Sequence, residues 1–243
     1  MNAPQPASSL APSRTLRTAQ GLAAARAPSA AWAPAPHTGQ PHGASPAGTC
    51  AQPQGQAVSV IIVPGWRNSP VGHWQSLWAD RIPGATRVQQ ADWAKPHKEA
   101  WVDALEQAIA AAPHPVVLVA HSLGCITAVH VQTSLQARIA GALLVAPADP
   151  DRRALFADFA PTPAAPLPYP SIVAASSNDP FCPIRMASAY AKSWGSTFVR
   201  VPGAGHINLE SGHGEWPLGW GLLGALVAGV PASAAQPLQA SVA

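Results

Sequence analysis

Nothing in the sequence restricts the fold more than Val116–Gly124. There the apolar run Val116–Ala120 passes without a break into His121-Ser122-Leu123-Gly124 and then into a helical pattern. A near-continuous run of Val, Leu and Ala reads as a strand covered on both faces. Comparable runs occur at Val58–Val63, Arg87–Ala91, Ala142–Ala146, Ile172–Ala175 and Phe198–Val201. Helical patterns fall between and after them, at His73–Arg81, Lys98–Ala111, Leu123–Gln136, Pro183–Trp194 and Glu215–Val227. Strand–helix alternation of this kind predicts a mostly parallel sheet sandwiched between helices. The proline-rich segment Pro147–Pro170 is the one long irregular connection, and such a segment is expected to be functional, for instance as a small cap.

With 243 residues, 48% of them hydrophobic, the chain suits one domain with a substantial core. Its net charge of +3 comes from one end: Arg14, Arg17 and Arg26 stand in an acid-free, Ala/Pro-rich stretch over 1–56. The span 57–229 is formally neutral, so the basic balance gives no support for nucleic-acid binding. Residues 1–56 and 230–243 lack sustained periodicity and are expected to be disordered tails, leaving 57–229 as the folded domain. A twin-Arg pair and a secretory apolar core are both missing from 1–56, which favours a flexible extension or a spurious upstream start over a targeting segment. Cys50, Cys125 and Cys182 form no CxxC pair, so reduced thiols and a cytoplasmic setting are expected. No uninterrupted apolar run reaches 18 residues, and no membrane span or membrane partner is predicted.

The chemistry centres on Ala120-His121-Ser122-Leu123-Gly124. A serine between a strand and a helix, flanked two residues away by small side chains, matches the G-x-S-x-G nucleophile elbow of α/β-hydrolases, with Ala120 in place of the first glycine. The competing reading is that Ser122 merely N-caps the following helix. A serine nucleophile needs a base, and in this arrangement the histidine follows the last strand. His206 occupies that position in Pro202-Gly203-Ala204-Gly205-His206, ahead of eight other histidines including His121 and His213. The carboxylate is expected after the penultimate strand, where Ser176-Ser177-Asn178-Asp179-Pro180 offers Asp179; Asp149 is its rival and Asp-Pro turn chemistry the plainer alternative. Backbone N–H donors for an oxyanion are expected from Leu123 and from Trp66, with Gly65 allowing close approach.

Other constellations are weaker. There is no GxxxxGK[ST], no GxGxxG after the first strand and no HExxH, and no metal site or cofactor is predicted. Asp92, Glu99, Asp103 and Glu106 read as solvated or capping positions, and Cys125 and Cys182 as small core residues. Trp74 and Trp78 share a helix face as core residues would, whereas Trp66 and Trp93 follow strands and either pack or line a pocket.

Beyond the elbow, several motifs coincide: Pro64-Gly65-Trp66 with Ser69-Pro70 and His73-Trp74, Asp92-Trp93 with Pro96 and Trp101, and His121-Ser122-Leu123-Gly124. Ser177-Asn178-Asp179-Pro180, Trp194-Gly195, Gly205-His206-Ile207-Asn208, Ser211-Gly212-His213-Gly214 and Trp216-Pro217 complete the set. Spread over about 57–227, they resemble the small single-domain bacterial serine hydrolases related to the retinoblastoma-binding serine hydrolase of animals. The resemblance implies a compact hydrolase without a large lid and a triad of Ser122, Asp179 and His206. The expected fold is therefore a single-domain α/β-hydrolase with a six-stranded, mostly parallel sheet in the order 2-1-3-4-5-6 and helices on both faces. The expected reaction is hydrolysis of a small ester-like substrate, with thioesters and amides left open. The neutral body and aromatic loops favour a mostly apolar molecule. The alternative from another class is a hydrolase-fold interaction protein with vestigial catalysis.

Overall fold

A computed structural model describes residues 57–230, so the disorder expected for 1–56 and for the tail after Val230 falls outside the described residues. Six strands form one sheet: β1 (Ser59–Val63), β2 (Thr86–Arg87), β3 (Val116–His121), β4 (Ile139–Val145), β5 (Ser171–Ser176) and β6 (Thr197–Val201). Their order is β2-β1-β3-β4-β5-β6 and every pairing is parallel, as expected of an α/β-hydrolase. The helices are α1 (Trp74–Arg81), α2 (Lys98–Ala111), α3 (Leu123–Val129), α4 (Thr133–Gln136), α5 (Ile184–Trp194) and α6 (Pro217–Ala228).

The period of two along each strand divides the interior into two cores. Ile61, Val63, Leu118, Ala120, Leu144 and Val173 face one layer, where Trp101, Leu105 and Ile109 of α2, Ile126 of α3 and Ala187 and Trp194 of α5 cover them. Val60, Ile62, Val117, Val119, Leu143 and Ala174 face the other, under Trp74 and Trp78 of α1 and Leu223 and Leu226 of α6. Every residue of β3 is buried, which explains why its sequence does not alternate. Trp74, Trp78 and Trp216 form an aromatic block in the second layer, with the Trp74 and Trp78 ring centroids 4.6 Å apart.

Three elements differ from the sequence expectation. The helix expected over Leu123–Gln136 breaks after Val129. His130 Nδ1 bonds to the Ile126 carbonyl, and Glu106 of α2 accepts from both the backbone N–H and the side-chain amide of Gln132, each at 2.8 Å. Those bonds satisfy the helix end and pull the chain into a turn, giving Glu106 the capping role expected of it. The second strand spans only Thr86–Arg87, because an edge strand has one neighbour and the chain leaves β1 just after the Val88 N–H bonds to Ile62. The Pro147–Pro170 connection is irregular over most of its length but organised near its start. It contains two short 3₁₀ turns, Pro150–Arg152 and Ala154–Phe159, and Phe156 and Phe159 are buried against Trp66 and Trp101.

One polar side chain in the second layer holds the site end of the sheet together. Gln75, fully buried on α1, donates its amide to the carbonyls of Val63 (3.2 Å) and Val119 (3.0 Å) and accepts from Ser69 Oγ at 2.6 Å. These bonds join the last residue of β1, the third-last residue of β3 and the loop between β1 and α1. Gln75→Leu keeps the volume but removes every partner, and each buried acceptor left unpaired costs about 1–3 kcal/mol. Urea unfolding should show a loss of at least about 1 kcal/mol, and a midpoint equal to wild type would contradict this role.

Candidate active site

Ser122 stands where β3 ends and α3 begins, with φ 56° and ψ −123°. A non-glycine residue at positive φ is strained and persists only when its surroundings impose the conformation. Here the constraint is visible: the Ser122 N–H is held by the Val145 carbonyl at 3.0 Å, and α3 starts at once against β1. A Cβ on Gly124 would fall 2.3 Å from the Val63 carbonyl oxygen, so no larger residue fits there. Ala120, the departure from the usual glycine, is fully buried within β3 and its methyl is accommodated.

The hydroxyl of Ser122 makes no capping bond to α3, which removes the plain N-cap reading. Its Oγ instead lies 2.9 Å from His206 Nε2. His206 Nδ1 is 2.8 and 3.0 Å from the two carboxylate oxygens of Asp179. Because a carboxylate only accepts, Nδ1 carries the proton in the neutral ring, and Nε2 is left to accept from the serine. All three groups arrive on the loops that follow β3, β5 and β6, at one end of the sheet.

The loops are cross-tied. Asn178 Oδ1 accepts from the Gly205 N–H at 2.8 Å and from Ser176 Oγ at 2.7 Å, while Ser177 Oγ accepts from the Gly203 N–H at 2.9 Å. The Ser-Ser-Asn preceding Asp179 is thus a clamp on the turn that presents His206. On the other side, the His206 carbonyl bonds to His121 Nε2 at 2.9 Å, and the Ile207 carbonyl accepts from Trp74 Nε1 at 2.8 Å. The His206 ring is flanked by His121, 4.8 Å between centroids, and by Phe181 at 4.2 Å. Burial pushes His121 well below its ordinary value of 6.5, and burial reinforced by Arg87 lowers His73 to about 4. Both rings are therefore uncharged near neutrality.

The rival candidates are engaged elsewhere. The Asp149 carboxylate caps a 3₁₀ turn by accepting from the Asp151 N–H, and His213 pairs with Ser211 Oγ. Cys125 and Cys182 are buried core residues; burial raises both thiols, Cys182 to about 12. Asp92 closes a turn onto the Ala94 and Lys95 N–H groups. Trp93 packs on Trp101, whereas Trp66 does line the cavity over Ser122. The loop carrying Trp66 approaches the nucleophile position closely: a Cβ on Gly65 would lie 2.7 Å from Ser122 Cβ and 3.2 Å from the Leu123 nitrogen. Phe181, Gln75 and Arg153 also belong to the site or its support, and no sequence pattern marks them, because each acts through a contact across the fold.

Ser122 and His206 open into a cavity of about 300 Å³ between Trp66, Phe181, His73 and Leu209. A larger depression of about 770 Å³, beside Ile139 and Trp194, contains none of these reactive groups. Among the described residues no group of three or more His, Cys, Asp or Glu side chains is placed to hold a metal ion, and no helix is long and apolar enough to cross a membrane.

Comparison with known proteins identifies the family and the fold. A sequence profile described as serine hydrolase matches residues 60–225. A protein from Pectobacterium atrosepticum designated a YdeN-like hydrolase is 38% identical, with 70% of this chain and 90% of that chain covered and a TM-score of 0.65. The ydeN gene product of B. subtilis is 20% identical over 70% of this chain and 98% of its own, with a TM-score of 0.58. Esterase 2 of Thermogutta terrifontis is 15% identical over 71% and 82%, with a TM-score of 0.54, a likeness of fold. No curated protein matches the sequence.

The buried histidines have a consequence for stability. Between 6.5 and about 4, the unfolded chain takes up a proton that folded His73 refuses. The stability it contributes is complete above 6.5 and is lost as pH falls towards 4. The melting temperature should drop across that window, and His73→Asn, which keeps an acceptor for the Gln75 N–H, should flatten the drop. An unchanged slope would place the acid sensitivity elsewhere.

Proposed function

This chain belongs to the serine hydrolase family, and from that premise we propose that it cleaves small ester-like substrates through an acyl-enzyme on Ser122. Carboxylic esters are the first choice, with thioesters and amides in the same acyl-transfer class. The observation that carries the reading is the continuous relay Ser122 Oγ–His206–Asp179, at 2.9 and 2.8 Å, on a strained strand–helix turn.

In this mechanism His206 Nε2 takes the Ser122 proton as Oγ bonds to the substrate carbonyl carbon. Asp179 holds the Nδ1–H tautomer and stabilises the imidazolium. The backbone N–H groups of Leu123 and Trp66 receive the oxyanion, and each such donor contributes about 2.7–4 kcal/mol to the transition state. Collapse of the tetrahedral intermediate breaks the bond to the leaving group, which departs with the proton from His206. Water, deprotonated by the same imidazole, then attacks the acyl carbon, releasing the acid and restoring Ser122. The chain's own residues supply every group in this sequence. The free, buried thiols of Cys125 and Cys182 fit a cytoplasmic enzyme. Kinship with the retinoblastoma-binding serine hydrolase is the finer part of this proposal and rests on the spread of shared motifs.

A fluorophosphonate probe tests the reading directly. Wild type should be labelled, Ser122→Ala should not, and His206→Ala should label very slowly. On a short-chain aryl ester, Asp179→Asn should lower kcat by about 10⁴, the effect of losing the correct tautomer. A folded wild type that neither reacts with the probe nor hydrolyses esters would refute the proposal.

A further inference from the structure

Two arginines lie on the aromatic walls of the cavity over Ser122, and neither pairs with a carboxylate among the described residues. Arg67, on the loop after β1, lines the cavity and sets its guanidinium carbon 4.3 Å from the centre of the Trp66 ring. Arg153, between the two 3₁₀ turns of the Pro147–Pro170 connection, lies 4.3 Å from the Phe181 ring and 5.5 Å from the same Trp66 ring. Both side chains are exposed, and both aromatic partners line the cavity. Cation–π contact holds each guanidinium in place while leaving its N–H donors free of protein carboxylates. Two like charges gathered on one tryptophan repel one another, and an anion between them relieves that repulsion.

The geometry also says which half of a substrate would meet them. His206 returns its proton to the leaving group, so the leaving group must lie against His206. Phe181 stacks on that imidazole at 4.2 Å, and Arg153 lies over Phe181. A leaving group extending past Phe181 therefore comes to Arg153. None of the remaining acids near the cavity forms an ion pair with either arginine. Asp179 is committed to His206, Asp149 is buried at a turn, Asp151 is exposed, and Glu210 lines the cavity and is also exposed.

We propose that the substrate is an ester whose alcohol portion carries a negative group, a carboxylate or equivalent anion, received by Arg153 and Arg67. The inference rests on the hydrolase reading above and narrows its substrate class: the aromatic walls fit the apolar body expected from the sequence, and the arginines add an anion at its far end.

The test compares 3-acetoxybenzoate with its neutral counterpart 3-acetoxybenzamide, in full-length protein, as a ratio of kcat/KM values. Arg153→Gln and Arg67→Gln should each reduce the anionic-to-neutral ratio by about tenfold, as expected for losing a hydrogen-bonded charge contact. Arg153→Lys should keep part of it, and Lys192→Ala, a charge removed from α5, should leave it as in wild type. The wild-type preference should also shrink as salt rises from 10 mM to 0.5 M and the screening length contracts. Hydrolysis of both esters with a ratio unmoved by either arginine substitution overturns this inference alone. A folded wild type that hydrolyses neither ester overturns the hydrolase reading and this inference with it.

Discussion

The site depends on a tight approach between α3 and the end of β1, where Gly124 sits so near the Val63 and Pro64 carbonyls that a Cβ would meet them at 2.3 and 2.7 Å. That approach forces the chain to leave β3 and enter α3 within one residue, and Ser122 absorbs the change at φ 56°. The loop after β1 lies equally close, with Gly65 set against Ser122 and the Leu123 nitrogen. Strain at one residue is thus maintained by packing across two strands, and Gln75 secures those same strands from the opposite layer.

The second requirement is to aim an imidazole at that serine, and it is met from both layers of the sandwich. Asn178 and Ser177 hold the turn before His206 from β5, His121 and Trp74 hold the carbonyls of His206 and Ile207 from the α1 side, and Phe181 covers the ring. Asn178, Ser177 and Trp74 lie outside the cavity lining, whereas His121 and Phe181 also form part of its wall. Their effect is to remove alternative rotamers and backbone states from a loop that otherwise contains two glycines and a proline.

The strands, the strand–helix turn at Ser122 and the positions of Asp179 and His206 were legible because each depends on local sequence, an apolar run, a small-residue pattern or a place after a strand, whereas the sheet order followed from the resemblance to α/β-hydrolases. Lys98–Ala111 was readable to the residue for the same reason, since its apolar positions recur at helical spacing. What was not legible depends on long-range contacts. The break after Val129 comes from Glu106 reaching across from α2, and nothing within Leu123–Gln136 records it. The Pro147–Pro170 segment looked irregular because prolines hide its pattern, although Phe156 and Phe159 anchor it in the core. Nothing in the sequence singles out Arg153; only its place over Phe181 gives it meaning.

The distribution of the triad along the chain has a bearing on how the protein is made. Ser122 and His206 are 84 residues apart, and His206 follows the last strand to join the sheet. At ribosomal speeds of about 5–20 residues per second, the serine exists for about 4–17 s before its histidine has been synthesised. During that interval its hydroxyl has no base and is chemically inert. In the proposed mechanism reactivity arrives only when the loop after β6 brings His206 to Ser122, so a chain that is truncated or stalls before that point exposes an ordinary serine rather than an armed one.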